Sequence, residues 1–247
     1  MSIAFFRFLL LLFPVLIFGQ PRIFLIGDST MSEKVNPDQN PERGWGQLLP
    51  EFFLELRIEN HAVNGRSTKS FITEQRWEKV YNSLKEGDYV FIQFGHNDQK
   101  YKDPKRFTNP FTQYRANLIH FVEQTRSKGA NPVLFTSVVR RNFNEYGALV
   151  DTHGSYPLVV HWVAETLTVP LVDLQLYSEQ LELAYGVEGS KKLHLHFKKG
   201  KHPYYKEEKV DNTHYSVEGA RAVAHLVAKD LYRQNILREY LLLEKNQ

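Results

Sequence analysis

The sequence predicts an α/β fold in which helices cover both faces of a parallel sheet. Three observations lead there. Short apolar runs rich in Val, Ile and Phe recur along the chain, longer amphipathic stretches separate them, and no repeat or low-complexity linker breaks the alternation. Strands alternating with helices build right-handed βαβ units. Burial on both faces makes each strand read as a continuous apolar run.

Taken from the N-terminus, the first nineteen residues stand apart. Arg7 precedes "FLLLLFPVLIFG", an apolar run interrupted by Pro14 and ending in the small residue Gly19. A short basic start, an apolar stretch too short for a comfortable bilayer span and a small-residue end mark a cleavable signal peptide over 1–19. The remainder, 20–247, is long enough for a single domain with a sizeable core. "RIFLIG" (22–27) is the first strand and "LRIENHAV" (56–63) a weaker, partly alternating second. "YVFIQFG" (89–95), "PVLFTSVV" (132–139) and "VPLVDL" (169–174) follow as the third, fourth and fifth. "FTQYRANLIHFVEQTRSKG" (111–129) has helical periodicity, with Gly129 as its C-cap. A last helix opens at Val217 behind the N-cap Ser216, with Ala220, Val223, Ala224, Val227 and Leu231 along one face. The sum is a three-layer αβα sandwich around a flavodoxin-like parallel five-stranded sheet.

Composition removes several functions. The formal charge of +3 falls to +2 once Arg7 is lost, which is no basic field for nucleic acid. The chain has no cysteine, so thiol chemistry, disulfides and cysteine metal sites are excluded. Thirteen Tyr, seventeen Phe and three Trp fill the core first, and only those near a site are candidates for sugar stacking.

In doubly wound sheets ligands bind beyond the carboxyl ends of the strands. Polar residues with chemistry fall there. Ser29, in "FLIGDSTM", follows the first strand, Asn64-Gly65-Arg66-Ser67 the second and Gly95-His96-Asn97-Asp98 the third. "DNTH", with Asp211 and His214, precedes the last helix. Together these supply serine acyl transfer: a hydroxyl, an imidazole base, a carboxylate to orient the imidazole, and N–H donors for an oxyanion. Singly each has a plainer role. Ser29 can be a helix cap, Gly65 a turn glycine, Asn97 and Asp98 an Asx turn, and Asp211 and His214 loop residues.

The blocks G-D-S, N-G, G-x-N-D and D-x-x-H, in this order, resemble the SGNH (GDSL-type) hydrolases over nearly the whole mature chain. That resemblance implies Ser29 as nucleophile, Asp211 and His214 completing a triad, and an oxyanion hole from the N–H groups of Ser29 and Gly65 and the Asn97 amide. Asp28 matches the family's structural aspartate. "GDST", "FGHND", "DNTH" and "TSVVRRNFNEYGALVDTHGSYP" (136–157) are most similar to the rhamnogalacturonan acetylesterases. The resemblance implies an exported, monomeric serine esterase acting on an acetylated pectic polysaccharide. No cofactor, metal or nucleic acid takes part, and no membrane is involved after signal cleavage. Three alternatives stand beside it: an esterase or lipase for acetylxylan or a lipid acyl chain, a non-catalytic polysaccharide-binding protein, and an acetyltransferase.

Around this centre, His96, Arg140, His153 and Tyr156 are candidates for substrate binding. Arg140 and Arg141 are adjacent, and on an extended chain only one of them can face the site. Trp45 belongs to the core or stacks on substrate. "KKLHLHFKKGKHPYYKEEK" (191–209) is expected as a basic, aromatic loop over the crevice, able to steer a polyanion. His194-x-His196 lacks a convincing partner for a metal. His61, His120, His161 and His225 are taken as structural.

Overall fold

A computed structural model describes residues 19–242; the expected signal peptide, over 1–19, lies almost wholly outside the described residues. The described residues form eight strands: β1 (Arg22–Gly27), β2 (Glu42–Arg43), β3 (Arg57–Asn60), β4 (Tyr89–Gln93), β5 (Asn131–Phe135), β6 (Leu171–Val172), β7 (His194–Phe197) and β8 (Lys209–Ser216). The α-helices are α1 (Trp45–Leu48), α2 (Thr68–Thr73), α3 (Arg76–Ser83), α4 (Arg115–Ser127), α5 (Tyr156–Thr166), α6 (Leu174–Gly189) and α7 (Val217–Arg233). The main sheet is five-stranded, ordered β3-β1-β4-β5-β6, and every pairing in it is parallel. Counting its strands along the chain gives 2-1-3-4-5, the flavodoxin-like order, with the reversal of winding at β1 and β4.

Strand periodicity splits the core in two. Ile23, Leu25, Phe91, Val133 and Phe135 face a cluster with Trp45 of α1, Leu174 of α6 and the apolar stripe of α7. Their neighbours Phe24, Ile26, Val90, Ile92 and Leu134 face Phe71, Trp77, Val80, Phe121 and Val160 of α2 to α5. Both faces are dry, which is why these strands carry no polar alternation.

Several expectations change in detail. The fourth strand stops at Phe135 rather than Val139, because Thr136 and Ser137 turn their hydroxyls to Asp173 and to the Phe94 carbonyl. The fifth shrinks to Leu171–Val172, since Asp173 caps α6 by accepting from Leu176 N–H. The helix expected over 111–129 begins as a π turn at Pro110–Tyr114 and becomes α-helical at Arg115, and Gly129 follows it at φ +69°. Ser216 caps α7 by accepting from Gly219 N–H.

The main correction is a second sheet. β2, β8 and β7 form an antiparallel three-stranded sheet in that order, so "DNTH" lies on a strand, and the expected loop over 191–209 is partly strand. β8 reads "KVDNTHYS", with Tyr215 its single buried residue, and such a sequence carries no apolar alternation.

Candidate active site

A buried polar network shapes the turn after β1. The Asp28 carboxylate accepts from Thr30 N–H at 2.9 Å and from the Thr30 hydroxyl at 2.8 Å, closing an Asx-type turn around Ser29. Gln93, at the end of β4, donates to the Thr30 hydroxyl and accepts from the Trp45 indole at 2.7 Å. Trp45 is therefore core, not a stacking surface. Burial raises the Asp28 pKa, against the hydrogen bonds from Thr30.

Ser29 meets residues 185 positions away. Its Oγ lies 2.9 Å from His214 Nε2, and His214 Nδ1 lies 2.9 Å from Asp211 Oδ2. β8 supplies both partners. Asp211 also accepts from Thr213 N–H and His214 N–H, and Lys209 Nζ stands 3.2 Å from it. Burial opposes ionisation of this carboxyl. The hydrogen bonds from the His214 ring and from the two N–H groups outweigh burial and hold it well below the usual carboxylate range. A permanently ionised carboxylate behind an imidazole keeps the proton on Nδ1 and leaves Nε2 as acceptor for the serine hydroxyl.

Behind β8, His194 contacts the His214 carbonyl through Nδ1 at 3.1 Å and Glu182 through Nε2 at 2.6 Å. His194 and Glu182 are both buried, so His194 has the carboxylate partner its sequence neighbourhood did not offer, and it braces the strand that carries His214. His196 bonds Asn212 instead.

The loops after β3 and β4 carry the other expected site residues. Gly65 has φ +77°, a turn geometry that suits glycine. Asn97 Nδ2 donates one proton to the Arg66 carbonyl at 3.1 Å, which fixes the amide and leaves its second N–H for a ligand. Asp98 ties the two loops together, accepting from Thr68 N–H at 3.1 Å and from the hydroxyls of Thr68 at 2.5 Å and Thr108 at 2.8 Å. Burial dominates its titration and pushes it up to about 7 despite those donors.

Of the four substrate-binding candidates, two are corrected. His153 is 1% exposed and Tyr156 is 7% exposed. His153 Nε2 packs 3.1 Å behind His96 Nδ1, and the Tyr156 hydroxyl donates to the Asp98 and Thr108 carbonyls, so both support the wall from inside. His96 and Arg140 line an open depression. Arg141 turns away and is buried against Ser190, Asn212 and the Val187 carbonyl. Of the histidines taken as structural, His161 sits 3.1 Å from Asp173 and His225 stacks on Phe52.

Sequence reasoning missed Lys34. Its side chain is 2% exposed, and its ammonium donates to the Ser29 carbonyl at 2.6 Å and to Asn64 Oδ1 at 2.7 Å and pairs with Glu42 at 2.9 Å. It joins the serine turn to the residue before Gly65. Burial lowers its pKa, and Glu42 holds it up. A lysine five residues past a motif, in a polar stretch, carries no signal of burial.

These groups can transfer a proton from hydroxyl to imidazole beside the amide of Asn97, which is equipment suited to acyl transfer. Comparison with known proteins agrees. The pattern of the "GDSL-like Lipase/Acylhydrolase" family matches residues 23–227. The chain is 41% identical over 223 residues to rhamnogalacturonan acetylesterase RhgT of Bacillus subtilis, covering 90% of this chain and 94% of that one. It is 27% identical to a rhamnogalacturonan acetylesterase of Emericella nidulans, covering 84% and 83%. Among solved structures, Bacillus subtilis YxiM superposes with a TM-score of 0.74 at 26% identity, covering 88% of this chain but 58% of that one. A Geobacillus acetyl-xylooligosaccharide esterase, Axe2, shares the fold at a TM-score of 0.59 and 22% identity, covering 85% and 94%.

Proposed function

The chain belongs to the GDSL-like lipase/acylhydrolase family and is a carboxylic ester hydrolase, and from that premise we propose that it is an exported, monomeric esterase removing O-acetyl groups from a pectic polysaccharide. The observation that carries the chemistry is the unbroken chain Ser29 Oγ, His214 and Asp211, with 2.9 Å at each step. The relatives that bear the name rhamnogalacturonan acetylesterase support the substrate.

In this reading Ser29 Oγ attacks the acetyl carbonyl carbon as His214 Nε2 takes the hydroxyl proton. The carbonyl oxygen becomes an oxyanion, received by the N–H groups of Ser29 and Gly65 and by the free N–H of Asn97 Nδ2. His214 returns its proton to the departing sugar oxygen, leaving an acetyl-enzyme. Water, deprotonated by the same nitrogen, then releases acetate and restores Ser29. No step calls for a metal or cofactor.

Acetate release from acetylated rhamnogalacturonan and from acetylated xylan, by the mature chain and by Ser29→Ala, tests both halves. Release from the pectic polymer that disappears in the variant is expected. Release from xylan alone retains the triad and removes the pectic substrate. Release undiminished in Ser29→Ala removes the nucleophile.

A further inference from the structure

We propose that the depression beside the candidate triad is an anion subsite, built to hold the carboxylate of a uronate residue next to the scissile ester. This rests on the esterase reading above and goes beyond it by assigning residues to substrate charge. The depression has a volume of about 590 Å³ and is lined by His96, Lys100, Lys102, Arg106 and Arg140, with Asp103 its single acidic side chain. Four permanent cations therefore face one carboxylate. Asp103 is already committed, accepting from Arg106 Nε at 2.5 Å.

Arg140 is the informative member. It is half-buried, yet no carboxylate pairs with it among the described residues. Its guanidinium is held by neutral oxygens, donating to the Thr152 hydroxyl at 3.0 Å. With the Gln99 amide turned so that its nitrogen faces the Thr152 carbonyl, the amide oxygen accepts from both Arg140 terminal nitrogens, at 2.7 and 2.9 Å. These contacts aim the fork without neutralising it. A desolvated, oriented guanidinium that feels Asp28 and Asp151 only at a distance and has no carboxylate in contact suits bidentate capture of one. Lys100 feels the same excess, since after burial its pKa is lowered most by Arg106 and Arg140.

Two contacts join the depression to the reacting centre. Arg106 Nη1 lies 3.4 Å from Asn97 Oδ1, and a side chain at Gly65 would start 3.7 Å from the same nitrogen. The guanidinium thus overhangs both loop donors of the expected oxyanion hole. His96 precedes Asn97 in the wall, is 3% exposed, and its Nε2 has no hydrogen-bond partner among the described residues. A buried, unpartnered imidazole nitrogen in the wall is a ready contact for a sugar hydroxyl. Cations beside the hole give a uronate ester charge contacts that a neutral sugar or a lipid chain lacks.

The test is inhibition of p-nitrophenyl acetate hydrolysis by unacetylated oligogalacturonate, with neutral xylo-oligosaccharide of equal length as control. Acetate release from the acetylated polymers is read separately, so failure of the pectic reading is visible on its own. The wild-type enzyme is expected to be inhibited by the uronate oligomer at least about tenfold more strongly than by the neutral one, with the difference shrinking as salt rises. That preference should collapse in Arg140→Gln. It should also weaken in Lys100→Gln/Lys102→Gln, both of whose positions are exposed. Equal inhibition by both oligomers overturns the subsite. So does a preference that survives in both variants.

Discussion

Replacing Lys34 by methionine removes an ammonium while nearly keeping its volume, and the structure sets the size of the effect. The Lys34 side chain is 2% exposed and that of its partner Glu42 is 20% exposed, so the substitution leaves a carboxylate partly shielded from water. Breaking a buried pair from one side costs about 3–5 kcal/mol, and the residual water access of Glu42 places this case near the lower end. The Ser29 carbonyl loses its 2.6 Å donor as well, worth about 1 kcal/mol. Asn64 Oδ1 keeps Ser32 Oγ at 2.6 Å and loses less. A fall of about 3–4 kcal/mol in unfolding free energy, read by urea denaturation, is the expected result. Activity should fall too, because the same nitrogen joins the Ser29 turn to the Gly65 turn. A loss of about 10- to 100-fold in kcat on p-nitrophenyl acetate, with little change in KM, matches sub-ångström drift of the two loops. Glu42→Gln alone should cost less, and the double variant should be no worse than Lys34→Met. A Lys34→Met enzyme within about 0.5 kcal/mol of wild type and equally active would refute the reasoning.

Asp211→Asn should cut kcat by roughly 10³- to 10⁴-fold in the same assay, and adding it to Ser29→Ala should cost little more than Ser29→Ala alone, because members of a triad act as one unit. Stability should fall in acid. Burial depresses His153 from 6.5 to about 3, and His96 shifts in the same direction, so the unfolded chain takes up protons that the folded one refuses. The stabilisation from a neutral His153 is present above pH 6.5 and is lost as pH falls toward 3. Between pH 7.5 and 5 that is about 2 kcal/mol, so the stability curve of His153→Gln should be flatter by this amount, and parallel curves would contradict it. Gly219→Ala adds a Cβ only 2.0 Å from the Leu193 carbonyl oxygen. The obstructing oxygen is backbone and cannot simply swing aside, so a cost of about 1–3 kcal/mol is expected, seen as a lower Tm in calorimetry.

The sequence alone determined what depends on near neighbours. The apolar runs of β1, β4 and β5 set the sheet, the spacing of Ala220 through Leu231 set the α7 stripe, and Ser216 and Gly129 marked helix ends. Periodicity and capping act over a few residues, so they are written in short stretches. The block order of Gly27-Asp28-Ser29, Gly65, Asn97 and Asp211 to His214 likewise named the candidate site, because a doubly wound sheet collects its strand ends. Tertiary structure decided the rest. β8 is a strand because β2 and β7 pair with it from both sides, although its own residues carry no strand pattern. Burial of Lys34, retreat of His153 and Tyr156 behind the wall, and the opposite directions of Arg140 and Arg141 follow from which distant groups the chain path brings near. The solvation of a polar side chain is set by its surroundings in space, and local sequence does not encode those.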